Sequence, residues 1–128
     1  MIDTTNILLK SIQKIVREII SCIIYDGDDF CAYLPNGMPM GCCTNSANFI
    51  VDKLGGNVMG YYHEDNPTST IGRIEGGHDF TILGNYLVDL WYKEYWEEGK
   101  YIYDLTNPDD VFLVAILYGD PSTWEEVV

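Results

Sequence analysis

Positive charge is the scarcest property of this chain. Seven lysines and arginines stand against twenty aspartates and glutamates, a formal charge of −13 at pH 7 over 128 residues. Such a balance repels nucleic-acid phosphate and anionic membrane surfaces, so neither is an expected partner. It is compatible with a basic protein partner and equally with plain solubility. Long apolar runs are missing too. The strongest, residues 19–25, is too short to span a bilayer and follows Lys10, Lys14, Arg17 and Glu18 without a small-residue cleavage pattern. It reads as the end of a core helix, not a signal peptide. No Cys-x-x-Cys pair occurs, and Cys22, Cys31, Cys42 and Cys43 form no compact ligand set with His63 and His78. No metal and no cofactor is therefore expected. The acidic stretch at 26–29 lacks the spacing and downstream Glu of an EF-hand and reads as a solvated turn. Without an export signal, a cytoplasmic protein with reduced thiols is the default, and a secreted effector without a cleavable signal is the other placement.

What is plentiful is core material. Hydrophobic residues make up 47% and aromatics 13%, well above the disordered range, and the length suits one domain spanning 1–128. Ten tyrosines and three tryptophans point to half-buried positions with a polar rim.

Residues 3–24 read as an amphipathic helix, with Ile7, Leu8, Ile12, Ile15, Ile19 and Cys22 at three- and four-residue steps and Asp3 or Thr4 as N-cap. Residues 30–34 read as a short strand. A second helix opens at Gly41-Cys42-Cys43, with Cys43, Ala47, Ile50 and Leu54 on one face and Gly55-Gly56 as its stop. Further on, 57–64 and 101–105 read as strands. Residues 71–76 are a connection, 106–110 a turn, 111–118 a buried strand or short helix, and 119–126 a turn with a helical stub. The fold class is α+β, with N-terminal helices packed on an antiparallel sheet.

The most informative stretch is 77–92. Two β-rich runs flank Gly84-Asn85, which predicts a two-residue hairpin. Leu83 then opposes Tyr86, Ile82 opposes Leu87, Phe80 opposes Asp89 and His78 opposes Trp91. With period-two alternation these last six residues share one face, and His78 and Asp89 become diagonal neighbours with Cβ atoms about 7 Å apart. Asp79 falls on the opposite face. A histidine beside a carboxylate on an otherwise apolar face is an oriented base. Cys43 is the nucleophile it would serve, because the dipole and free N–H groups of a helix N-terminus favour a thiolate there. Cys42 points about 100° away and reads as a flank filler. His63 reads as an exposed strand end, and the aromatics of 92–96 as sheet cover or groove lining.

The order of helix-opening cysteine, histidine strand and acid strand resembles the papain-like and transglutaminase-like cysteine enzymes. The resemblance covers roughly residues 40–92. Gly41-x-Cys43 with Ala47 is similar to the nucleophile helix of transglutaminase-like proteins, Gly77-His78 to the start of their histidine strand, and Tyr86-Leu87-Val88-Asp89 to their acid strand. The last run also resembles the corresponding strand of arylamine N-acetyltransferases. The resemblance implies a minimal papain-like core and a Cys43–His78–Asp89 triad. That triad implies a peptidase, deamidase or transglutaminase acting on protein or peptide amides. The chain departs from the pattern at two places. A papain-type Gln before the cysteine is absent, with Asn36 a nearby substitute on the oxyanion side, and Thr44 replaces the Trp that often follows the nucleophile. Trp91 is a candidate substrate contact. The alternative function is a non-catalytic acidic interaction protein, an immunity- or chaperone-like binder, favoured by the charge and the missing oxyanion side chain.

Overall fold

The computed structural model describes residues 4–21, 23–26, 29–32, 43–90 and 99–127. In chain order the elements are α1 (Thr4–Ile20), β1 (Ile23–Asp26), β2 (Asp29–Ala32), α2 (Cys43–Leu54), β3 (Asn57–Tyr62), α3 (Thr70–Glu75), β4 (Gly77–Leu83), β5 (Tyr86–Val88), β6 (Ile102–Asp104), α4 (Pro108–Tyr118) and β7 (Glu125–Glu126). Single 3-10 turns lie at His63–Asp65 and Pro121–Thr123. Five strands form an antiparallel sheet in the order β6-β5-β4-β3-β7, and β1 pairs with β2 in a separate hairpin. The class is α+β, with the N-terminal helices on the sheet as expected.

The β4–β5 hairpin has the expected register: Leu83 opposes Tyr86, Ile82 opposes Leu87 and Thr81 opposes Val88. Gly84 takes φ 59° while Asn85 keeps a negative φ, the signs of a type II′ turn, which wants glycine at its first central position. Alternation then sends side chains to two cores. On one face Leu83, Tyr86 and Val88 pack with Leu90 against Ile12, Val16 and Ile19 of α1 and Phe49 and Ile50 of α2. On the other, Phe80 and Leu87 pack with Tyr61 of β3 and Tyr103 of β6 against Ile71 of α3 and Val114 and Tyr118 of α4. The sheet is thus covered on both faces by helices. No helix among the described residues is long and apolar enough to cross a membrane.

Several local expectations are corrected. The first helix stops at Ile20, not 24, and Ile23–Asp26 is a strand. The Ser21 N–H makes the last helical bond, to the Arg17 carbonyl, its hydroxyl bonds the Glu18 carbonyl, and the residues that follow are committed to strand by the β1–β2 pairing. The strand placed at 30–34 is instead Asp29–Ala32. The connection at 71–76 is helix α3, because Ser69 caps it by accepting from the Gly72 N–H at 2.9 Å. The 106–110 turn is the start of α4: Asn107 accepts from the N–H groups of Asp109 and Asp110, and Pro108 sits where a missing N–H costs nothing. That settles 111–118 as helix. The C-terminal stub is a 3-10 turn capped by Asp120 and followed by strand β7, just past which the Val127 N–H reaches the Val58 carbonyl at 2.8 Å. The proposed N-cap at Asp3, the flank residue Cys42 and the aromatics of 92–96 lie outside the described residues, as do Asn36 and Trp91.

Candidate active site

Cys43 is the first residue of α2, half-buried and outside any disulfide, at the helix opening where the sequence places it. The helix is fixed to β4 by two side-chain bonds. Thr44 Oγ1 donates to Asp79 Oδ2 at 2.6 Å, and one turn on Thr81 Oγ1 donates to the Ala47 carbonyl at 3.0 Å. The residue after the candidate nucleophile is therefore bonded to the residue after the candidate base, which registers the two segments against each other. Asp79 lies on the α2 face of β4, opposite His78, as alternation requires.

This clamp has a steric condition. Gly60 on β3 pairs with Asp79, and a Cβ at position 60 would overlap the Asp79 carboxylate. Gly60→Ala is expected to destabilise the fold by about 1–3 kcal/mol, the usual cost of overpacking. Urea unfolding checks this, and an unchanged midpoint would show that Asp79 can move away freely.

His78, on the other face of β4, is buried, as is Asp89 just past the end of β5. Its Nε2 lies 2.6 Å from Asp89 Oδ2. The ladder stops at Val88, and the Asp89 N–H turns to the Tyr101 carbonyl at 2.9 Å. The expected diagonal pair is therefore a direct hydrogen bond. The Cys43 thiol also hydrogen-bonds the His78 ring. With Nε2 committed to Asp89, Nδ1 is the ring nitrogen left for another partner. Burial pulls the His78 pKa down, but the Asp89 charge, the Asp89 hydrogen bond and the Cys43 contacts outweigh it and raise the value from 6.5 to about 10. At neutral pH the ring is an imidazolium between a carboxylate and a sulfur.

Behind this row stands a residue that sequence reading did not single out. Tyr118, at the end of α4, donates its hydroxyl to the same Asp89 Oδ2 at 2.6 Å. It is completely buried, and burial followed by the neighbouring Asp89 charge raises its pKa well above the usual tyrosine value. The signal was present: once 108–118 is a helix, Asp110, Val114 and Tyr118 share its buried face at four-residue spacing.

Cys43, His78 and Asp79 line a cleft of about 360 Å³, and Asp65, Glu125 and Glu126 line it as well. No salt bridge among the described residues engages these three acids. His63 departs from expectation: it is half-buried, its backbone N–H bonds the Gly76 carbonyl, and its Nδ1 has no hydrogen-bond partner among the described residues. Among the described residues no three His, Cys, Asp or Glu side chains gather into a metal-binding group.

The arrangement sets a cysteine sulfur beside an imidazolium on the lining of a cleft, at a helix N-terminus, where backbone N–H groups can face an oxyanion. Compared with known proteins, the chain matches no family model, no curated protein and no solved structure.

Proposed function

We propose that this protein is a cysteine-dependent amide hydrolase or acyltransferase of the papain-like and transglutaminase-like type, acting on protein or peptide substrates through a Cys43–His78–Asp89 triad. The observation that carries the reading is the continuous row from thiol to imidazole to carboxylate, supplied by the start of α2, the start of β4 and the end of β5. The Cys43 thiolate attacks the substrate carbonyl carbon, and the Cys43 N–H shares the charge that develops on the oxygen. His78 gives its Nδ1 proton to the departing amine as the carbon–nitrogen bond breaks, leaving an acyl thioester. Water or a second amine, deprotonated by His78, then attacks the thioester and restores the thiolate and the imidazolium. Asp89 keeps the ring oriented and offsets its charge throughout. A cytoplasmic setting, where thiols stay reduced, suits the free Cys43.

The acidic wall favours substrates with positive charge near the reacting bond, in keeping with a basic protein partner. A second reading, a non-catalytic acidic interaction protein, rests on this same wall and on the −13 charge. One experiment separates them. Fluorogenic peptide amides flanked by lysine or by glutamate are incubated with the protein, and Cys43 is examined by mass spectrometry for an acyl adduct. The expected result is an adduct on Cys43 that Cys43→Ala lacks, with the lysine peptide turned over several-fold faster at low salt and the preference shrinking at high salt. Lysine-peptide binding that survives Cys43→Ala, without any adduct in the parent, would replace the enzyme by the interaction protein.

A further inference from the structure

We propose that Tyr118 is a positioning residue for this site: by donating to the Asp89 oxygen that also holds His78, its phenol takes up part of that oxygen's charge and sets how tightly His78 keeps its proton. The inference rests on the acyl-transfer reading for its relevance, but it stands on geometry of its own.

Asp89 Oδ2 accepts two bonds of equal length, 2.6 Å from His78 Nε2 and 2.6 Å from the Tyr118 hydroxyl. Two donors on one oxygen compete for its electron density, so a stronger bond from the phenol weakens the hold on the imidazolium. The phenol is aimed by its surroundings. Its ring lies edge-on to Phe80 and Tyr103, with centroids 5.1 Å and 5.8 Å away, and 5.9 Å from the His78 ring. Its own carbonyl accepts from Asn66 Nδ2 at 2.7 Å and Trp124 Nε1 at 3.1 Å. The two preceding carbonyls are held as well, Leu117 by the Ser69 hydroxyl at 2.7 Å and Ile116 by the Thr70 hydroxyl at 2.9 Å. The last turn of α4, where carbonyls ordinarily face solvent, is thus fixed by the 66–70 segment and by Trp124. A helix end held at three successive carbonyls leaves the Tyr118 side chain little freedom to turn away from Asp89.

Among the described residues, the titratable groups facing His78 include Asp89 beyond β5, Cys43 on α2 and Tyr118 itself, whose ring centroid lies 5.9 Å from the imidazole. Those facing Tyr118 are Asp89, Tyr103 on β6 and Tyr61 on β3. The Tyr118 hydroxyl and His78 Nε2 share Asp89 Oδ2, so that oxygen is the point through which the phenol's hydrogen bond acts on the imidazole.

The test follows the His78 ring nitrogens by NMR across pH in the full chain. With two histidines in the sequence, assignment needs one His63 variant. Tyr118→Phe keeps the ring packing and removes the donor, and the His78 midpoint is expected to move to higher pH by about half a unit or more. Site-specific 3-fluorotyrosine at 118, a stronger donor of the same shape, is expected to move it the other way. A purely structural role lowers stability and leaves both midpoints in place; unmoved midpoints, or shifts of the same sign, overturn the proposal. If Tyr118→Phe does not fold, the fluorinated residue decides alone, a downward shift supporting the proposal and no shift overturning it. Failure of the acyl-transfer reading shows separately, as an unreactive Cys43 in the parent protein.

Discussion

Alanine in place of His78 is expected to slow the alkylation of Cys43 by iodoacetamide at neutral pH by roughly tenfold. Only the thiolate attacks the reagent, and an ordinary thiol is ionised to a few per cent at that pH. In the proposed thiolate–imidazolium pair the ring sustains the thiolate, so removing it is expected to cut the reactive population by more than an order of magnitude. Part of that loss is recovered, because the more basic thiolate that remains is the better nucleophile. Acyl transfer falls further, by roughly a hundred- to ten-thousand-fold, since the variant also lacks the group that protonates the leaving amine. Peptide mapping after timed alkylation gives a rate for each of the four cysteines, so Cys22, Cys31 and Cys42 serve as internal references. Equal rates at Cys43 in parent and variant would remove the basis for calling it a nucleophile.

The second large effect concerns stability. Asp89→Ala leaves the buried His78 ring without its counter-charge and is expected to cost about 3–5 kcal/mol at neutral pH. The pH dependence changes sign as well. In the parent the folded His78 value, about 10, lies above the ordinary 6.5, so folding takes up a proton between them. The stabilisation is complete below pH 6.5 and is lost as pH rises through about 10. Without Asp89 burial dominates and drives the ring neutral. The folded value then falls below the unfolded one, and stability is lost as pH falls. Urea midpoints from mildly acidic to mildly alkaline solution measure both slopes. Parallel curves would show that Asp89 is not what keeps the ring charged.

Much of this was legible before any coordinates. Gly84-Asn85 with alternating neighbours specified the hairpin, its register and its faces, because a two-residue turn leaves one pairing and period two leaves one assignment. The same counting placed His78 beside Asp89 and Asp79 behind them. The spacing of Cys43, Ala47, Ile50 and Leu54 before two glycines located α2, which runs Cys43–Leu54. Other features depended on distant partners. The helical state of 70–75 turns on a Ser69 cap whose hydroxyl also serves the Leu117 carbonyl, 48 residues away. The end of α1 was misplaced because Ile19 to Tyr25 suits a helix face and a strand equally, and the β1–β2 pairing decides between them. Tyr118 was out of reach for the same reason: which oxygen its hydroxyl finds is a property of α4 docking, not of the run it ends. The acids of β7 were read as part of a helical stub, so their place on the cleft wall went unseen.

The links that join the site are long in sequence. The Thr44–Asp79 clamp spans 35 positions, the His78–Asp89 bond 11 and the Asp89–Tyr118 bond 29. Contacts of that separation close late in folding, because loop-closure entropy must be met before they contribute. Neither helical layer alone assembles the row, since α2 brings the sulfur to one face of β4 and α4 brings the phenol to the other. During synthesis and refolding Cys43 therefore remains a commonplace thiol, no more prone to attack bystanders than its three neighbours. On the acyl-transfer reading its reactivity is expected to rise when the last layer closes, so a thiol-selective dye followed in time would serve as a clock for the final step of folding.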